Sequence, residues 1–345
     1  MLVARRIARA ARRRHWALWL GAAAVVLPLL SLLPYMLSGT EAARARNSLV
    51  LDDAADANVD WTPPQVPPGF LVDHVPADPV FVAIAQRLHL AELPTDWDRA
   101  VAISRHLLGS SPTLPGGAIQ ADLQTTYRRI IGTGDGYCVD FVQSFSAIAG
   151  AAGMPIRSWA FSFDGFGGHG HILPEIWNRQ TGEWQMLDLF NNAYFTTADK
   201  PLSAREFRAA MLAGRDIRMH RLDPVARPGY IHEEKAWDYY RRGLPEWYLW
   251  WGNNPFSYDQ AASVRMFSPL ARSLAQLGAM VQGVHPHIHV LATAENRARI
   301  DALRRVRLHL WSVVASVLAG LVVIAVTLVR QRSGHGPSIE GAVGA

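Results

Sequence analysis

Two uncharged apolar runs set the frame into which the rest of the chain must fold. Residues 16 to 37, WALWLGAAAVVLPLLSLLPYML, carry no charged side chain across 22 positions. At 1.5 Å rise per residue a helix of that length crosses a hydrocarbon layer of roughly 30 Å. Pro28 and Pro34 are expected to kink it without abolishing it. A second run, LWSVVASVLAGLVVIAVTLV from Leu310 to Val329, has the same character and is assigned to a helix over 309–329. Two crossings place both ends of the chain on one side of a membrane.

Arg5, Arg6, Arg9, Arg12, Arg13 and Arg14 precede the first run, and clustered arginine beside an early span holds that end in the cytoplasm. Arg304, Arg305 and Arg307 oppose this assignment from the outer side of the second run, against Arg330 and Arg332 beyond it. The first cluster decides, because it is larger and long loops translocate largely regardless of charge. The expectation is a two-pass protein of the inner (plasma) membrane. Residues 1–15 form its basic cytoplasmic N-terminus and 330–345 its cytoplasmic tail, with a periplasmic domain between the spans. A cleaved secretory signal is the competing reading, and the basic lead with its long apolar core favours an uncleaved anchor.

A formal net charge of +5 would suit a nucleic-acid partner, but eight arginines and Glu340 in the two ends account for all of the excess. The 26 basic and 28 acidic residues between them leave the central part nearly neutral, which removes the case for nucleic acid. Cys138 is the only cysteine, so no intrachain disulfide can form and a free thiol needs another explanation.

Residues 38–78 turn from polar to proline-rich (Pro63, Pro64, Pro67, Pro68, Pro76) and predict a linker with little regular structure. A core over 79–200 follows. Helical patterning starts at Pro79 and resumes after Thr95, a residue type that caps helices. A loop is expected over 109–118, then a short helix through LQTTYRRII. The glycine-rich turn GTGDGYC leads into CVDFVQSFSAIAGAAG, where Val142, Phe145, Ala149 and Ala152 recur at helical spacing. After Gly153 and Pro155 the pattern becomes strand-like: RSWAFSF, then HILPEIW, a turn at NRQTGE, and WQMLDLF. The class is α+β, with the Cys138 helix packed on antiparallel strands. Residues 201–308 read as an aromatic-rich extension on that core, holding WDYYRRGLPEWYLWWGNNPFSY and one helix over AASVRMFSPLARSLAQLGAMV.

The thiolate is the reactive form of cysteine, and a helix N-terminus favours negative charge there. The same unpaired N–H groups can hold the oxyanion formed when a carbonyl is attacked. A thiol site also needs a base and a group that orients it. His171, at the start of HILPEIW, and Asp188, in WQMLDLF, supply both, since neighbouring antiparallel strands can set them side by side.

Other readings of these residues exist. A cysteine in a helix can be a small buried hydrophobe, and His169 competes with His171 within GGHGH. In HPHIH, His287 and His289 share a strand face, but no carboxylate or cysteine near in sequence completes a metal site. The aromatic block at 237–258 suits core packing or a membrane interface, with a sugar-binding groove as the rival. No cofactor or metal is expected.

Taken in order, GYCVDF, GMPIRSW, GHILPEIW and GEWQMLDL resemble the transglutaminase-like superfamily of papain-like thiol enzymes over roughly residues 95–195. In that family a helix-start cysteine precedes a Gly-Ile-Pro-Arg segment, a histidine strand with glutamate four residues on, and a tryptophan shortly before the aspartate. The matching positions are Cys138, Gly153 to Arg157, His171 with Glu175, and Trp184 with Asp188. Two departures lie at Leu173, where the family usually carries an aromatic residue, and Leu189, in place of proline. The resemblance implies a papain-like core and a Cys138–His171–Asp188 triad acting on a peptide or amide substrate through a thioester. Water as acceptor gives hydrolysis and an amine gives acyl transfer. The alternative is a non-catalytic module that binds a cell-envelope polymer or a membrane partner.

Overall fold

Local signals set the element boundaries of the computed structural model, which describes residues 2–52, 59–109, 117–119 and 121–333. In chain order it opens with α1 (Leu2–Leu30), α2 (Leu33–Leu37), α3 (Gly39–Leu49), β1 (Leu71–Val72), α4 (Pro79–Arg87), α5 (Asp96–Leu108), α6 (Leu123–Thr133) and α7 (Cys138–Ala151). Then come β2 (Ile156–Ser162), β3 (Gly170–Asn178), β4 (Glu183–Met186), β5 (Tyr194–Thr197), β6 (Lys200–Pro201), α8 (Ala204–Leu212), β7 (Arg218–His220) and α9 (Glu233–Gly243). The last elements are β8 (Trp247–Asn253), α10 (Pro255–Gln260), α11 (Ala262–Phe267), α12 (Arg272–Val281), β9 (His287–Val290) and α13 (Arg297–Ser333). Most of the loop expected over 109–118, and the tail beyond Ser333, lie outside the described residues.

Contacts divide the chain into two units, one of residues 1–48 with 302–345 and one of residues 49–301. The first contains the two helices long and apolar enough to cross a membrane, over His15–Leu37 and Arg297–Gln331. Their apolar side chains mostly face outward, as Trp19, Leu20, Leu27, Leu318 and Val322 do. α1 stops at Leu30 because Pro34 lacks an N–H and its ring collides with the carbonyl four residues back. The chain resumes as α2 after one turn, so the expected kink is a break. Gly21 and Gly320 face each other where the helices meet: a Cβ on Gly320 would lie 2.7 Å from the Gly21 carbonyl oxygen. Small residues at a crossing let two backbones approach this closely.

In the second unit the α+β class holds. A mixed sheet runs β1-β8-β2-β3-β4, with β9 also on β8 and β1 parallel to it, and a small antiparallel sheet runs β6-β5-β7. Helix starts carry side-chain caps: Asp78 accepts from Val80 N, Thr95 from Asp98 N and Asp122 from Thr125 N. Every residue of β2 is buried, because both faces of the strand are covered. One core joins α4, α5, α6 and α7 through Phe81, Ile103, Ile130 and Phe145 to Ile156 and Ile176. The other, built on Trp159, Phe161, Leu173 and Trp247, gathers Phe195, Phe207 and Tyr240.

Three expectations are redrawn. The 38–78 segment is no unstructured linker: it holds α3 and β1, and Trp61 and Phe70 are buried in the aromatic core. Its apolar side chains outweigh its prolines once a core is available to receive them. The boundary at 200/201 cuts through one sheet, since β8 pairs with β2 in the register Phe161↔Trp247. Residues 201–301 thus belong to the same unit as the core they were expected to cover. The single helix expected over 261–281 is two, α11 and α12, broken around Pro269.

Candidate active site

Two glycines in the left-handed region shape the turn into α7. Gly134 ends α6 at φ +69°, and Gly136 follows at φ +117°, where an added Cβ would press on the Asp140 side chain at 3.2 Å. Asp140, in the first turn of α7, accepts from Tyr137 N at 2.8 Å and Ile119 N at 3.1 Å. These contacts aim the first residue of the helix, Cys138, at a half-buried position beside the exposed Tyr137.

His171 is the second residue of β3, paired with Phe161 across the sheet. Asp188 lies two residues beyond β4, where the bonds Asp188 N to Ala193 O (2.8 Å) and Ala193 N to Asp188 O (2.9 Å) pin it. The His171 Nε2 contacts Asp188 Oδ2 at 2.8 Å, with both side chains essentially out of solvent. Nε2 being committed to Asp188, Nδ1 is the ring nitrogen left for Cys138, which is near enough to the imidazole to act on its charge state. All three sequence-predicted residues therefore meet at one place.

Burial alone would discharge His171, but the negative charges of Asp188 and Cys138 and their hydrogen bonds override it and push its pKa up to about 10. Burial likewise acts to raise Asp188, and the His171 charge with bonds from His171, Tyr240 and Asn191 holds it below the usual carboxylate range. Imidazolium and carboxylate are thus the stable forms over neutral pH.

Residues that sequence reading missed complete the arrangement. Tyr240 OH donates to Asp188 Oδ2 at 2.6 Å, Asn191 Nδ2 donates to the same oxygen at 2.9 Å, and Asn191 N donates to Oδ1 at 3.0 Å. Asn191, three positions after Asp188, carried a local signal as the closing residue of an Asx-type turn. Tyr240 carried none, being one of many aromatics 52 positions away. Burial, followed by the Asp188 charge, drives Tyr240 well above the ordinary tyrosine value, so it stays a donor. The imidazole is walled by Phe161, Tyr239 and Phe190, with ring centroids at 5.5, 5.6 and 6.1 Å. The 237–258 block is in large part core, as Tyr240 and Trp247 are fully buried.

The rival histidines sit elsewhere. His169 is largely exposed and bonds Asp164 Oδ2 through Nδ1 at 3.0 Å. His289 lies 3.1 Å from Asp52 and against the Trp251 ring at 4.0 Å, as a packed strand residue. Among the described residues, no three His, Cys, Asp or Glu side chains converge as a metal site would require.

Arg157, Glu175 and Trp184, which carried part of the resemblance, form a buried brace instead of touching the triad. Glu175 accepts from the Arg157 guanidinium, from Trp159 Nε1 at 2.8 Å and from Ala204 N, the first residue of α8, at 2.7 Å. Arg157 lies over the Trp184 ring at 4.1 Å and donates to Val59 O at 2.6 Å. The brace ties β2, β3, α8 and the former linker together, which fixes the strand that carries His171.

No protein-family model, curated protein or solved structure matches the chain.

Proposed function

We propose that the chain is a membrane-anchored, transglutaminase-like thiol enzyme that cleaves or transfers an acyl group from an amide through a Cys138 thioester. The observation that carries this reading is His171 held at 2.8 Å by Asp188, with Cys138 at a helix start near enough to favour the charged imidazole. The Cys138 sulfur attacks the amide carbonyl carbon, and the tetrahedral oxyanion sits against the N–H groups of the first turn of α7. Collapse breaks the C–N bond as His171 Nδ1 gives its proton to the departing amine. Water or a second amine then attacks the thioester carbonyl as His171 takes the proton, the C–S bond breaks to release the acid or the new amide, and the thiolate–imidazolium pair is restored. The His171 charge state described above suits the acid half of this cycle. Asp188, fixed by Tyr240 and Asn191, keeps the ring in the orientation that presents Nδ1.

The two apolar helices anchor the domain in this proposal, with the N-terminal arginine cluster cytoplasmic and residues 49–301 on the periplasmic side.

Because Cys138 is the only cysteine, alkylation of the full-length protein in detergent reads that thiol without ambiguity. The expected result is rapid modification by iodoacetamide at pH 6, slowed at least tenfold in His171→Ala. Equal rates in the two proteins, or a wild-type thiol no faster than glutathione at that pH, refute the reading. For the topology, reporter fusions after Leu308 and after Arg332 should report periplasm and cytoplasm respectively, and a cytoplasmic signal from the first overturns it.

A further inference from the structure

One buried charge beside the triad has no role in the chemistry above. Arg227 lies on the segment between β7 and α9 and is only 8% exposed, yet none of its three guanidinium nitrogens finds a hydrogen-bond partner among the described residues. An arginine cannot shed its proton to escape this. Leaving a buried cation unpaired is among the costlier arrangements a fold can hold.

The backbone around Arg227 is nonetheless fastened to the loop that supplies Asp188. Asn192 Nδ2 donates to Asp223 O at 2.7 Å and to Arg227 O at 3.0 Å, and Asp223 N returns a bond to Asn192 Oδ1 at 2.8 Å. Gly229 N donates to Asn191 O at 3.1 Å, so close that a Cβ on Gly229 would overlap the Asn191 backbone at 2.3 Å. Three bonds of the Asn192 side chain and one between backbones thus set the position of a side chain whose own donors have no partner among the described residues.

Its guanidinium packs on the aromatic wall of the site. The Arg227 Cζ stands 5.3 Å from the centroid of Phe190, and the same ring meets His171 at 6.1 Å and Tyr137, the residue before Cys138, at 6.3 Å. These distances cap the guanidinium-to-imidazole separation at about 11 Å, the reach of roughly three extended residues. The carboxylate whose field Arg227 feels, Asp188, already accepts from His171, Tyr240 and Asn191.

We infer that Arg227 is a substrate-binding residue that takes a carboxylate of the peptide or amide, placed within about three residues of the carbonyl attacked by Cys138. The inference rests on the thiol-enzyme reading for the identity of the reacting carbonyl. A planar guanidinium offers a carboxylate two parallel bonds, and the aromatic surface of Phe190 beneath it keeps the fork oriented. The carboxylate can be the free C-terminus of a short peptide or an acidic side chain, and both present the same group.

Three iodoacetyl probes separate the possibilities on the full-length protein: iodoacetyl-glycinamide, which is neutral, iodoacetyl-glycine, with a free α-carboxylate, and iodoacetyl-glutamic acid α-amide, with only a side-chain carboxylate. At least one anionic probe should alkylate Cys138 about tenfold faster than the neutral one, the rate equivalent of a charge-assisted hydrogen bond. The faster of the two identifies the source of the carboxylate. Arg227→Gln should bring the rates of the anionic probes down to that of the neutral one measured in the same variant, and Arg227→Lys should restore part of the preference. The melting temperature of Arg227→Gln should hold or rise, since a buried charge without a partner among the described residues is removed, whereas a merely structural arginine would lower it. Equal rates for all three probes, or a preference that survives Arg227→Gln, overturn the inference. A neutral-probe rate insensitive to His171→Ala instead sinks the thiol-enzyme reading, so the two failures are told apart.

Discussion

Replacing Asp188 by asparagine tests the centre of the site with almost no change of shape. In the native protein Asp188 accepts from four donors: His171 Nε2, Tyr240 OH and Asn191 Nδ2 at Oδ2, and Asn191 N at Oδ1. An asparagine there has one acceptor oxygen, and its NH2 group must face donors whichever way it turns. At least one or two buried donors lose their partner, at about 1–3 kcal/mol each, so the loss is on the order of 2–5 kcal/mol. For a unit of about 250 residues that lowers the melting temperature by roughly 5–15 °C. The pH dependence should change as well. His171 has a folded value of about 10 against 6.5 unfolded, so its stabilisation is complete below pH 6.5 and fades as pH rises toward 10. The folded value of Asp188 is depressed, so its contribution is present above about pH 4 and is lost as pH falls through that depressed value. The wild type should therefore lose stability between pH 6.5 and 10, and Asp188→Asn should show a flatter loss over that window because the largest charge holding His171 protonated is gone. Melts of full-length protein in one detergent, followed by tryptophan fluorescence at pH 6 and pH 9, measure both effects. A variant with an unchanged melting temperature and the same alkaline slope would refute the four-donor account.

Removing Tyr240's hydroxyl in Tyr240→Phe should cost about 1.5–3 kcal/mol in urea unfolding, as expected for a buried hydrogen bond to a charged group, and should slow the pH 6 alkylation of Cys138 less than His171→Ala does. Breaking the brace with Glu175→Ala strands the Arg157 charge and should destabilise by about 3–5 kcal/mol, read from the urea midpoint. His169→Ala should leave both stability and Cys138 alkylation as in the wild type, because that ring is largely exposed and bonds Asp164, outside the triad. In the first unit, Gly320→Leu forces a side chain against the Gly21 carbonyl and should lengthen the distance between spin labels on Leu18 and Val322 in nanodiscs. An unchanged distance rejects close glycine packing.

Local pattern was enough to find what depends on neighbours in sequence. The turn GTGDGYC announces a helix start because only glycine tolerates the backbone at Gly134 and Gly136, and the caps at Asp78, Thr95 and Asp122 are short-range bonds that a residue type signals directly. The β3–β4 hairpin follows from alternation around a turn, which is why His171 and Asp188 could be named as neighbours. The two membrane-length runs are legible from composition, and their orientation rests on arginine counts alone.

Tertiary structure decided everything that joins distant segments. β8 completes the sheet beside β2 some ninety positions earlier in the chain, and no local periodicity marks which aromatic strand pairs with which. Trp61 enters the core from a proline-rich stretch, Tyr240 reaches Asp188 from α9, and the Arg227 carbonyl is held by the Asn192 side chain. Sequence alone determined that Cys138 begins a helix and has a histidine and an aspartate within reach. Only the fold determined which groups hold that aspartate and that an unpaired guanidinium stands beside it, because burial and hydrogen-bond satisfaction belong to the packed chain and not to any window of its sequence.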